Sequence, residues 1–187
     1  MLASVGTPKR VEFSEAYDDH VWDVYGFLGY RLNSREETED LTQVTFERAF
    51  KAWERFDPER ASVKTWLLAI ARNAVIDHYR GNRAEQQRPL PEEGDAQLPA
   101  SAIVEPDERG LGPDPDLARA LSRLSDRERE LLALRYGGDM TGAEIAEITG
   151  LSLANVQQIL SRSLRALRVT LEAEERSGDR RAGAPEA

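Results

Sequence analysis

Three stretches of the 187-residue chain carry side chains whose types and spacing suit molecular recognition. In WLLAIARNAVIDHYRGNR, Trp66 and Tyr79 sit among Lys64, Arg72, Arg80 and Arg83. Aromatic rings stack on unpaired bases and neighbouring cations hold phosphates, the combination that grips single-stranded nucleic acid. The same rings also suit the core face of an ordinary helix. In EETEDLTQVTFERAF, Asp40, Gln43 and Glu47 fall at i, i+3 and i+7, a polar ridge that fits either a protein partner or water. The third stretch, TGAEIAEITGLSLANVQQILSRSLRALR, spans residues 141–168. Thr141 and Glu144 form a capping box, and Ile145, Ala146 and Ile148 follow at helical spacing. Gly150 suits a left-handed turn and Ser152 caps a second helix through Val156, Ile159 and Leu160. That order is the scaffold of a helix-turn-helix, and a helical hairpin with no nucleic-acid role shares it. From Ile148 to Leu171 there is no acidic residue, while Arg162, Arg165 and Arg168 follow the recognition positions.

Catalysis has no comparable signature. The chain has no Cys, and its two His are His20 and His78. Neither a phosphate loop nor a metal-ligand cluster nor a nucleophile–base spacing occurs. Asp77 and His78 are adjacent, so on a helix they point about 100° apart and do not make a dyad. The chain reads as a non-enzyme with no metal and no cofactor.

The elements that position these residues are all helices. The first runs from about Ser14 to Leu32, with Phe13, Tyr17, Val21, Val24, Tyr25 and Leu28 as its apolar series. A second opens at Ser34–Glu37 and continues through Leu41, Val44, Phe50 and Trp53 to end before Asp57-Pro58. The third spans Ser62 to Gly81. Further on, a helix opens at the capping box Ser125–Glu128 and carries Leu131, Leu132 and Leu134 to Gly137-Gly138, ahead of the helix-turn-helix.

The formal net charge of −9 is unevenly spread. Residues 1–83 hold 12 basic and 14 acidic side chains, and residues 117–187 hold 11 of each. Residues 84–116 hold two basic against nine acidic and six of the nine prolines. Such a segment buries too little apolar surface to offset the entropy of ordering. The expected organisation is therefore all-α: a disordered N-terminus over 1–12, a helical domain over 13–83, a flexible acidic linker over 84–116, a helix-turn-helix domain over 117–171 and a disordered tail over 172–187. No apolar run approaches the roughly 20 residues of a membrane span, and no signal-peptide core opens the chain, so a cytoplasmic location is expected.

Taken together, EDLTQVTFERAF with FDPERASVKTWLLAIARNAVIDHYR, and LSDRERELLALRYGGDMTGAEIAEITGLSLANVQQILSRSLRALR, resemble regions 2 and 4 of the extracytoplasmic-function (ECF) class of bacterial sigma factors. The resemblance covers about residues 13–83 and 117–170. It implies a subunit that binds core RNA polymerase, directs it to promoters and helps open the duplex. Docking on the clamp helices of the largest polymerase subunit would fall on Asp40, Leu41, Gln43, Phe46 and Glu47. Capture of the melted minus-ten strand would fall on Arg60, Ser62, Lys64, Trp66, Arg72, Asn73, Asp77, Tyr79 and Arg80. Reading of the minus-thirty-five element would fall on Ser152, Asn155, Gln157, Gln158, Ser161, Arg162 and Arg165. Basic residues are usual in the family at the positions of Gln157, Ile159 and Leu164, and their loss predicts a weak, less salt-dependent grip by the isolated domain. Gln can still bond adenine and Arg guanine. Further implied partners are promoter DNA, the flap of the second-largest polymerase subunit and a cognate anti-sigma factor. Two other readings fit parts of the chain: a helix-turn-helix regulator acting without polymerase, and a polymerase-binding regulator that does not specify promoters.

Overall fold

Glu12 and Glu15 close a capping box at the start of the first helix, α1 (Phe13–Arg31), in a computed structural model that describes residues 12–32, 34–86 and 115–182. All regular structure among the described residues is helical. Ser34 accepts from the Glu37 amide to start α2 (Arg35–Ala52). The Glu37 carboxylate lies 3.2 Å from His78 Nε2, which ties this end of α2 to the third helix. A single 3₁₀ turn, Trp53–Arg55, closes α2. Ser62 then accepts from the Thr65 amide at 3.1 Å ahead of α3 (Val63–Gln86), which continues beyond the expected end at Gly81.

The second half comprises α4 (Pro115–Ser122), α5 (Asp126–Leu132), α6 (Gly142–Thr149) and α7 (Leu153–Ala182). After α5 the chain widens into a π turn, Ala133–Gly137. The Gly138 amide reaches the Ala133 carbonyl at 2.8 Å and the Met140 amide the Leu134 carbonyl at 3.0 Å. Where a disordered tail is expected from residue 172, α7 instead runs on to Ala182. The acidic segment lies largely outside the described residues, as do residues 1–11.

Core formation joins the two halves. Val24, Phe27 and Leu28 of α1, Leu41 and Ala49 of α2, and Leu67, Leu68, Ala71 and Val75 of α3 share one buried cluster with Leu131, Leu134, Met140, Ile145 and Val156. Each buried Leu contributes on the order of 1.5–3 kcal/mol relative to exposure, so the cross-half packing is a substantial part of the fold's cohesion. A smaller cluster, Ala120, Leu121, Leu132 and Leu167, seats α4 on α7. The two helical units are therefore packed on each other, an arrangement that the tethered-domain expectation did not contain.

Glycines permit that approach. A Cβ at Gly26 on α1 would lie 2.4 Å from the carbonyl oxygen of Gly137, and one at Gly137 would lie 2.5 Å from the Gly26 oxygen. Polar groups then bracket the contact. Buried Arg31 donates to the Asp126 carbonyl at 3.0 Å. Arg72 pairs with Glu130 at 2.5 Å, and Lys64 donates to the Asp139 carbonyl at 2.7 Å.

Candidate nucleic-acid interface

The helix-turn-helix is built as its sequence implies. Thr141 and Glu144 satisfy each other's orphan groups, with the Thr141 amide and hydroxyl each 2.7 Å from the Glu144 carboxylate. These bonds hold the Glu144 carboxyl below its ordinary value of 4.5. Gly150 turns the chain at φ 70°, in the left-handed region, and Ser152 caps α7 by accepting from the Asn155 amide at 3.3 Å. Val156, Ser163 and Leu167 face inward, and Ile159 and Leu160 lie half-buried. Opposite them, Asn155, Gln157, Gln158, Ser161, Arg162 and Arg165 are all exposed on the outer face of α7. Positions 155, 158, 162 and 165 recur at steps of three and four, so they line one stripe of the helix. Arg162 lies 3.3 Å from the Glu128 carboxylate. The Arg162 side chain is itself 67% exposed, so solvent screens the pair and it adds little, on the order of 1 kcal/mol or less, a small cost for turning the guanidinium toward a base. Ser152 is spent on the cap.

The nine expected strand contacts, on α3 and in the loop before it, do not share a face. Lys64 and Arg72 point at the second half of the chain and are engaged there by Asp139 and Glu130. Asn73 and Arg80 are exposed on another side, and Asp77 beside them pairs with Arg48 of α2 at 2.8 Å. Arg60 is exposed in the preceding loop and Ser62 caps the helix. Trp66 packs against Phe56 and Trp53, with ring centroids 5.1 and 5.8 Å away. Tyr79 donates its hydroxyl to the Arg31 carbonyl at 2.8 Å, and burial pushes its pKa up. Both rings are part of the packing rather than an open stacking platform.

The polar ridge of α2 is exposed along Asp40, Gln43 and Glu47, with Gln43 donating to Glu47 at 2.9 Å. Leu41 and Phe46 are buried, 7% and 6% exposed. Of these two expected docking residues, Leu41 packs into the core cluster, while Phe46 also lines the groove beside the ridge. The inward face is otherwise rich in threonine. Thr38, Thr42 and Thr45 are buried with their hydroxyls donating to carbonyls one turn back, which satisfies polar groups that burial would otherwise penalise.

Beside the ridge, α1 and α2 enclose a groove of about 590 Å³. Trp22 and Phe50 on its walls are 55% and 66% exposed. Tyr17, expected in the core, is also exposed here, with its ring 4.7 Å from that of Phe46. Sequence reasoning missed this groove because its aromatics read as the same helical stripe that builds the core.

A helical bundle followed by a capped helix-turn-helix is the two-part, all-α arrangement that the fold presents. Comparison with known proteins specifies the class further. Residues 16–85 match the Sigma-70 region 2 family and residues 120–169 the Sigma-70 region 4 family. The chain is 30% identical over 156 residues to the ECF RNA polymerase sigma factor RpoE of Cereibacter sphaeroides, covering 83% of this chain and 84% of that one. It is 31% identical over 163 residues to the ECF RNA polymerase sigma factor SigX of Bacillus subtilis, covering 86% and 84%. The fold is similar to that of the sigma factor RpoE of Bartonella quintana, solved with the anti-sigma factor NepR, at a TM-score of 0.67 and 23% identity over 86% of this chain and 96% of that one. The chain belongs to the ECF RNA polymerase sigma factors. Among the described residues, no helix is long and apolar enough to cross a membrane.

Proposed function

We infer that this chain binds core RNA polymerase, directs it to promoters bearing minus-ten and minus-thirty-five elements, and works from the cytoplasm without catalysing a reaction of its own. The observation that carries the reading is the presence of both modules, region 2 then region 4, in one chain. Core polymerase docks on α2 through Asp40, Gln43 and Glu47, with Trp22 and Phe50 offering apolar area beside the ridge. Arg60, Asn73 and Arg80, joined by Lys64 and Arg72, hold the melted minus-ten strand. Binding energy for the single strand offsets the cost of unpairing, so no nucleotide hydrolysis is needed. The outer face of α7 reads the minus-thirty-five element in the major groove through Asn155, Gln157, Gln158, Ser161 and Arg162, with Arg165 on phosphate. Polymerase supplies much of the nonspecific affinity, and the two readers act as a tethered pair. A cognate anti-sigma factor is the expected negative regulator, by analogy with the complex in which the Bartonella quintana relative was solved.

The test is titration of fluorescently labelled protein into sigma-free core polymerase. Saturable binding is expected, weakened at least tenfold by Asp40→Arg with Gln43→Ala. Unchanged binding by that variant removes α2 from the interface.

A further inference from the structure

The exposed side of α3 carries an acid where an anion is to be held. Asn73, Asp77 and Arg80 recur at steps of four and three, so they line one stripe, and all three are exposed. A phosphate brought to Asn73 and Arg80 therefore meets the Asp77 carboxylate between them, and like charges repel. Among the cations assigned to the strand, Lys64 and Arg72 are engaged on another side of α3, which leaves Arg60 in the loop and Arg80. The structure supplies a further cation from a different helix. Arg48 of α2 donates to the Asp77 carboxylate at 2.8 Å, across 29 positions of the chain. Both side chains are open to solvent, Arg48 44% and Asp77 53% exposed. Arg48 directly follows Glu47 of the polar ridge. One residue turns a helix by about 100°, so the Arg48 side chain leaves the ridge and crosses to α3.

We propose that Arg48 is a strand-binding residue of the minus-ten site, a phosphate contact contributed by α2 and held in place by Asp77. The inference rests on the reading of α3 as the strand-holding helix. A guanidinium carries five donors in a rigid fork, and the bond to Asp77 uses one of them. The exposed remainder can take a phosphate oxygen beside the Asn73–Arg80 stripe through charge-assisted hydrogen bonds. Asp77 then has a positive role on this face. Its charge is offset by Arg48, and its carboxylate orders a long side chain in advance, which lowers the entropy lost when the strand is captured. A solvent-exposed ion pair contributes little to the cohesion of a fold, so stability alone is a weak reason for placing this one. The minus-ten site thereby spans two helices. Glu47 and Arg48, neighbours in the chain, serve different partners: the ridge residue faces polymerase and the next residue faces the strand.

The test removes the pair without changing net charge. Arg48→Gln with Asp77→Asn replaces two opposite charges by two amides that can still hydrogen-bond, so a pair that only joins α2 to α3 loses nothing that a strand would sense. Each form of the full chain is assembled with sigma-free core polymerase. A fluorescein-labelled, mixed-sequence single-stranded oligonucleotide is the probe, followed by anisotropy over a range of salt concentrations, with core polymerase alone as the baseline. The double variant is expected to bind the strand about fivefold more weakly than the parent, the size of one solvent-exposed charge contact. The slope of log affinity against log salt should also fall by about 0.7, as for one lost phosphate contact to a single strand. Affinity and slope equal to the parent's overturn the proposal and leave the pair a tie between helices. Arg80→Gln separates that failure from failure of the α3 reading. Weaker strand binding by Arg80→Gln with an unaffected double variant removes Arg48 alone. No response to either change, or a parent holoenzyme that holds the strand no better than core polymerase, takes down the strand-holding reading and the proposal with it. Titration into core polymerase completes the test: a double variant that binds core several-fold more weakly assigns Arg48 to the docking surface and overturns its role on the strand.

Discussion

Substituting Gly26 by Ala sets two effects of opposite sign against each other. Gly26 lies inside α1, where Ala is favoured by about 0.8–1.0 kcal/mol. If α1 faced only water, the substitution would stabilise. In the structure the new Cβ falls 2.4 Å from the Gly137 oxygen and 3.1 Å from its carbonyl carbon. Carbon–oxygen contacts relax to about 3.3–3.6 Å, so α1 and the π turn must part by about 1 Å. Both atoms belong to backbone, and no side-chain rotation relieves the overlap. A gap of that size forfeits about a quarter to a half of the dispersion attraction of each pair across it, and Phe27, Leu28, Leu131 and Leu134 all lie in the affected cluster. Overpacking of this kind costs roughly 1–3 kcal/mol. The expected net is a destabilisation of about 1 kcal/mol, read as a fall of roughly 2–4 °C in the thermal midpoint followed by helical circular dichroism. A midpoint raised by a similar amount would mean that Ala contributed its helix preference unopposed. The packing of region 4 on α1 would then be wrong.

Other outcomes follow from the same geometry. Trp22→Ala with Phe50→Ala, both exposed beside the ridge, should weaken core-polymerase binding several-fold in the titration without lowering the thermal midpoint. Equal affinity would restrict the interface to α2's polar residues. Gln157→Ala and Arg162→Ala should flatten preference among minus-thirty-five variants in promoter competition assays while core binding holds, and preserved preference would leave region 4 a docking role only. Tyr79→Phe strands the Arg31 carbonyl that its hydroxyl now serves, so a loss of about 1–2 kcal/mol is expected in urea unfolding. Hydrogen bonds from Ser125 and Thr141 hold the Glu128 and Glu144 carboxyls below their ordinary 4.5. A depressed folded-state pKa means their stabilisation is complete above the unfolded value and disappears as pH falls through the lower folded ones. The stability gap between the parent and Glu128→Gln/Glu144→Gln should therefore be present at neutral pH and close on acidification below about 4.5. A gap independent of pH would contradict the cap assignment.

The helix-turn-helix was legible because its determinants are local. Thr141 with Glu144, Gly150 and Ser152 each act within four residues, and the structure realises every one of them. The ridge at Asp40, Gln43 and Glu47 was legible for the same reason. Contacts between distant residues had no such signal. Arg72 meets Glu130 across 58 positions and Arg31 meets Asp126 across 95, and nothing in either neighbourhood names the partner. Leu131 and Leu134 read equally well as a core private to region 4, because apolar spacing says which side of a helix is buried and not what buries it. The inward face of α2 was hard to see because threonines fill much of it, made tolerable there by their own backbone bonds. Leu41 and Phe46 were grouped with the ridge by the family resemblance, which carries no information on how far each is buried.

The central claim is that this chain gives core RNA polymerase a choice of promoter. It is tested most directly by transcription in vitro, with purified protein and sigma-free core polymerase on fragmented genomic DNA and sequencing of the RNA 5′ ends. Discrete new start sites sharing two upstream elements, absent when the protein is omitted, are the predicted result. Stable binding to core polymerase with no new start sites would contradict it and leave a polymerase-binding protein that does not specify promoters.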